Sequence, residues 1–74
     1  NPSTTIPFSV KEKCNVVLKI YDIQGREAAT LINAEFQPGH YQAEFNASSF
    51  ATGIYFYKIR MKKFEATKKM VLVE

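Results

Sequence analysis

Apolar residues recur at every second position along most of this chain, and turn-forming residues separate the runs. That period belongs to strands with one buried face, and no stretch holds a helical period long enough to form a stable helix. Thr4, Ile6, Phe8 and Val10 share one face of a first strand, with Pro7 between them. Proline lacks the N–H that a sheet ladder uses, so this strand is expected at an edge or kinked. Lys11–Lys13 form a charged turn, after which Val16, Leu18 and Ile20 alternate with Val17, Lys19 and Tyr21. Asp22-Ile23-Gln24-Gly25 has Asp at the first position and Gly at the last, which suits a tight turn.

The segment Arg26–Phe36 departs from this pattern. Ala28, Leu31, Ile32 and Glu35 would share a helical face, but the segment lacks an N-terminal capping box and is short for a helix, so a strand is expected. Pro38-Gly39 breaks the chain before Tyr41, Ala43 and Phe45, which alternate with His40, Gln42 and Glu44. A loop follows over Asn46–Gly53, where Phe50 is expected to plug one end of the core. The fifth strand, Ile54–Met61, presents Tyr55, Tyr57, Ile59 and Met61 on one face, and Lys62-Lys63 turn the chain into a last strand, Glu65–Val73. Met70–Val73 is apolar on both faces, which suits a strand covered twice or one awaiting a partner. The chain is therefore expected to be all-β: a single β-sandwich of six to seven short, mainly antiparallel strands. Ile6, Phe8, Leu18, Ile20, Tyr41, Phe45, Tyr55, Tyr57 and Ile59 are expected to be buried.

The residues of catalysis are scarce. With one His and one Asp in 74 residues, no triad can be assembled, and His40 falls on the polar face of its strand. Cys14 stands alone, without a second cysteine for a disulfide or a zinc pair. The glycines are scattered and the carboxylates dispersed, so neither a phosphate loop nor a glycosidase pair stands out. Catalytic, cofactor-binding and metal residues are accordingly expected to be absent. Asn46-Ala47-Ser48 matches a glycosylation sequon, a match short enough to arise by chance. Tyr41, Tyr55, Tyr57 and Phe56 could stack bases or sugars, but tyrosines filling a small core with their hydroxyls at its rim is the simpler reading. No apolar run is long enough for a membrane-spanning helix, and nucleic acid is not an expected partner.

Charge is uneven. Residues 58–69 carry Lys58, Arg60, Lys62, Lys63, Lys68 and Lys69 against Glu65, a local charge of +5 on a chain whose total is +3. A basic patch of this kind fits an acidic protein groove or an anionic polymer, and lysines on an edge strand also deter unwanted pairing.

Several segments together resemble the type A C-terminal sorting domain of the type IX secretion system. They are Asn1-Pro2-Ser3-Thr4-Thr5-Ile6-Pro7-Phe8, the run Val17–Glu27, Pro38-Gly39-His40-Tyr41, Phe45-Asn46-Ala47, Ala51-Thr52-Gly53-Ile54-Tyr55-Phe56-Tyr57, and Thr67-Lys68-Lys69-Met70-Val71-Leu72-Val73. The pattern is also similar to the Ig-like domain of flagellar hook-assembly scaffold proteins. The resemblance implies an immunoglobulin-like sandwich that follows a cargo and is read by an outer-membrane translocon. Removal by a sortase-like peptidase would follow, with the cargo joined to an anionic lipopolysaccharide or released. The route implied is periplasm in transit, then cell surface or extracellular space, and the 74 residues are expected to be a fragment or processed piece of a larger exported protein.

By the same resemblance the partner-recognition residues are Gly53, Tyr55, Lys68, Lys69, Met70, Val71, Leu72 and Val73. The chemistry of the closing run agrees: edge backbone and apolar side chains can dock on a partner's sheet while lysines steer the encounter. A second reading is a structural or adhesive module that associates with its own copies through exposed edges, and carbohydrate binding is a third.

Overall fold

Six strands follow one another along the chain: β1 (Ser3–Val10), β2 (Cys14–Asp22), β3 (Glu27–Phe36), β4 (Gly39–Asn46), β5 (Gly53–Met61) and β6 (Phe64–Leu72). The computed structural model describes residues 3–73, so Asn1, Pro2 and Glu74 lie outside it. No helix forms among the described residues. Strands β1 and β4 pair antiparallel as one sheet, and a second, four-stranded antiparallel sheet runs in the order β3-β2-β5-β6. Together they make the all-β, Ig-like sandwich expected from the alternation.

Of the nine residues expected to be buried, Ile6, Leu18, Ile20, Phe45 and Ile59 are. Val16, Leu18 and Ile20 of β2 are fully buried, and Ile6, Val10, Phe45 and Ile59 join them from the other strands. Ala43, Ala47 and Met61 complete the buried set. Phe8, Tyr41, Tyr55 and Tyr57 are half-buried rather than buried, because a sandwich this small has room at its centre for aliphatics and one Phe, and the other rings pack around its rim. At one end Phe8, Phe36 and Tyr41 pack ring on ring, with centroids 4.8–5.5 Å apart. At the other, Phe50 meets Phe45 edge-on at 5.1 Å and Tyr55 at 5.7 Å, so it does plug that end of the core.

β3 is a strand, and its irregular pattern has a structural cause. Leu18 pairs with Ile32 and Lys19 with Thr30, which leaves Leu31 extra, and a second register shift leaves Ala28 extra. The bulge at Leu31 stretches the spacing between Ala29 and Ile32 from two to three, so the apolar residues drift toward the helical period while Ala29, Leu31, Ile32 and Phe36 all pack on the core. The turn before it is built by Asp22. Its Oδ1 accepts hydrogen bonds from the backbone N–H of Gln24 and of Arg26, both at 2.9 Å, while Gly25 adopts φ +83°. A β-carbon is strained at that angle, which explains the glycine.

The two sheets differ in width, and this decides which surfaces stay open. A pair of strands cannot cover four, and β6 is the strand left without one opposite its first half.

Candidate functional site

The residues singled out in the sequence divide into a corner and a strand. In the corner, the Tyr55 hydroxyl donates to the Ala51 carbonyl at 2.9 Å, and its ring lies over Gly53. Tyr41 repeats the arrangement, donating to the Gln37 carbonyl at 2.6 Å with its ring against Gly39. A β-carbon on Gly39 would come 3.4 Å from the Tyr41 hydroxyl, tighter than ordinary contact. The two Gly-x-Tyr starts thus share one tie, a tyrosine hydroxyl that fastens its strand to the preceding loop. At Gly39 the ring also presses on the glycine, whereas a β-carbon at Gly53 would meet the Tyr55 ring at an ordinary 3.9 Å. In this arrangement Tyr55 holds the loop that carries Ala51 against the core, and Gly53 starts the strand beneath its ring.

Strand β6 alternates. Met70 and Leu72 face inward and pack on the cluster of Ile20, Phe45 and Ala47. Lys68 faces the same side, opposite Tyr57, but nearer the uncovered end, where it lines a groove of about 680 Å³. Lys69 and Val71 point the other way. They sit across from Phe56 and Ile54 on the outer face of the sheet, and Val71 is 61% exposed. Val73, just beyond the strand, is 68% exposed. Adjacent lysines on a strand cannot share a face, so Lys68 and Lys69 address different surroundings.

The outer face carries more than the closing strand. Tyr21 lies across from Phe56, and Lys58 Nζ stands 5.7 Å from the Tyr21 ring centroid. Lys58 also approaches Glu65 at 3.9 Å, while Lys19 is bound to Glu27 at 3.0 Å. The potential stacking platform of Tyr41, Tyr55, Tyr57 and Phe56 is divided by the fold: the three tyrosines turn toward the core, and Phe56 turns outward. Tyr21 and Ile54 are surface neighbours that sequence reasoning did not select, although their odd-numbered and even-numbered partners on β2 and β5 already implied the face they occupy.

The remaining chemistry-bearing side chains serve local structure. His40 Nδ1 lies 2.8 Å from Ser9 Oγ on the exposed face of the β1–β4 sheet. Cys14 is half-buried against the core. Asn46 Oδ1 accepts the Ser48 N–H at 3.0 Å, so the sequon asparagine shapes its own loop. Among the described residues no three His, Cys, Asp or Glu side chains gather where a metal ion could be held. The Asp22 carboxyl titrates below its ordinary 3.8, chiefly because the Arg26 N–H bonds the charged form, with the Arg26 guanidinium adding to it. Glu27 lies below its ordinary 4.5 for a like reason, its carboxylate bonded by Lys19 and Thr30. Both features belong to the β2–β3 hairpin.

Among known families, the model for the secretion system C-terminal sorting domain matches residues 1–74. No curated protein and no solved structure matches the chain. The match runs the whole length, over the same alternating strands and Gly-x-Tyr corners described above, and the chain therefore belongs to the type IX secretion C-terminal sorting domain family.

Proposed function

We propose that this domain is the non-catalytic address of an upstream cargo and that an outer-membrane translocon reads it on the outer face of the closing strand. The family supports export to the cell surface or the extracellular space, through protein partners in the secretion machinery. One observation carries the finer reading: Val71 and Val73 are apolar, exposed and unused by the core, and Lys69 stands beside them. Ile54, 37% exposed, extends that strip onto β5. Exposed aliphatics that contribute nothing to the fold mark a contact surface, and a neighbouring cation steers a partner to it. Met70, Leu72, Gly53 and Tyr55 act indirectly in this reading, by fixing the strand that presents the strip. The cargo precedes the domain, crosses the periplasm with it, and loses it to a sortase-like peptidase afterwards.

A reporter fused ahead of the chain tests this in a host that carries the export system. The intact fusion reaches the surface, and removing residues 70–74 traps it in the periplasm. Because Lys68 and Lys69 occupy opposite faces, they separate: Lys69→Ala weakens export and Lys68→Ala does not. Equal effects of the two would remove the outer face from its role.

A further inference from the structure

The groove that Lys68 lines has a second use for the domain, independent of how the outer face is read. It runs between the free edge of β1 and the inner face of β5 and β6. Ile6 and Phe8 form one wall, and Tyr57, Ile59, Met61 and Ala66 form the floor. Its length is bracketed by two strands that each have one neighbour: β1 pairs with β4, and β6 pairs with β5. The four-stranded sheet extends past the two-stranded one on this side, leaving space for a third strand beside β1.

The edge of β1 can receive one. Its ladder with β4 runs through Pro7 opposite Gln42 without a break in register, although Pro7 has no N–H to give. Pro7 must therefore occupy a position whose backbone groups point away from β4, and alternation puts Thr5 and Ser9 in the same position. The free edge then offers the N–H groups of Thr5 and Ser9 and the carbonyls of Thr5, Pro7 and Ser9. Pro7 makes the middle of this edge poor in donors, which disfavours indiscriminate pairing while leaving its acceptors in place.

Charge selects the occupant. Lys11, Lys62, Lys63 and Lys68 line the groove against one carboxylate, Glu12. Lys62 is matched by Glu12 at 3.3 Å, while Lys11, Lys63 and Lys68 have no ion-pair partner among the described residues. A second copy of this chain, itself carrying +3, complements that rim poorly. We infer that the groove takes an extended, acidic segment of another protein, which adds as a third strand to β1. Its alternate apolar side chains lie on the Ile59–Met61–Ala66 floor, and its carboxylates meet the lysines.

The probes are two fluorescein-labelled peptides, one alternating valine with glutamate and the other valine with lysine. Fluorescence anisotropy reads binding, and amide exchange by NMR reads where it occurs. The glutamate peptide is expected to bind about tenfold or more tightly than the lysine peptide at low salt, with the preference shrinking as salt rises. It should slow exchange at Thr5 and Ser9. Thr5→Pro removes a free-edge N–H without touching the ladder to β4, and Lys63→Glu with Lys68→Glu reverses the rim. Each should weaken the glutamate peptide about tenfold or more while the thermal midpoint stays within a few degrees. If Thr5→Pro fails to fold, the charge-reversed variant decides alone. Absent binding, equal affinity for both peptides, or affinity unchanged by charge reversal overturns the inference. So does slow exchange of Thr5 and Ser9 in the free protein, which would mean that this chain or its copy already fills the groove.

Discussion

The two faces of the β5–β6 hairpin are both partly apolar, yet they answer to different requirements. On the inner face, Ile59 and Met61 are buried, and Tyr55, Tyr57, Met70 and Leu72 pack around them or around Phe45. On the outer face, Ile54, Phe56 and Val71 have no second layer above them and share the surface with Lys58, Arg60 and Lys69. The inner residues would be selected by folding alone. The outer ones would not, since exposed valine contributes little to stability and adds an aggregation liability on an edge strand. The difference teaches where to look for function in a domain with no catalytic constellation: at apolar surface that the core does not need.

The comparison breaks most visibly on the inner face. Ile59→Ala should cost about 2–5 kcal/mol, against a total stability of roughly 4–11 kcal/mol for a chain of this length. Urea unfolding measures it, and the variant should also fail in export because it unfolds. A smaller effect is expected at the corner. Tyr55→Phe keeps the ring between Phe50 and Gly53 and removes only the bond to Ala51, so it should cost about 1 kcal/mol. Tyr41→Phe should cost a similar amount through the bond to Gln37, and the two losses should add, because the corners share no hydrogen-bond partner.

Smaller still is the contribution of the β2–β3 hairpin charges. The folded state holds Asp22 and Glu27 below their ordinary values, so it favours their charged forms. Their stabilisation is fully present above the unfolded values and is lost as pH falls through the folded ones. Asp22→Asn should therefore lower the urea midpoint at neutral pH, and the gap from the unchanged protein should close as pH falls through the lowered Asp22 value. A gap that persists in acid would assign the loss to the shape of the turn instead of its charge.

How much of this was legible depends on the strand. In β2 and β4 the inward residues alternate strictly, and the sequence places them without help from the structure. In β3 it does not, because Ala28 and Leu31 are extra residues in bulges and the apolar spacing drifts toward that of a helix. Lys68 and Lys69 read as a pair because they are neighbours in sequence, although a period of two separates them. The groove had no signal of its own. It exists because β1 and β4 lack a third strand, and which strands face each other is a property of topology, not of any local run. Gly53 and Tyr55 were visible as a motif, but only the ring-over-glycine geometry shows what the motif holds together.

The outer face gives the most direct test, because there a small change in stability should accompany a large change in function. Val71→Ser combined with Val73→Ser removes the two exposed valines of the closing segment and leaves Met70 and Leu72 in the core. Surface changes of this kind shift folding by about 0.5 kcal/mol or less each, so the thermal midpoint should barely move. Surface display of the fused reporter, measured in the same cells as its periplasmic pool, should fall to the level seen when residues 70–74 are removed. Display at the level of the unchanged domain, with the same thermal midpoint, would contradict the assignment of recognition to this face.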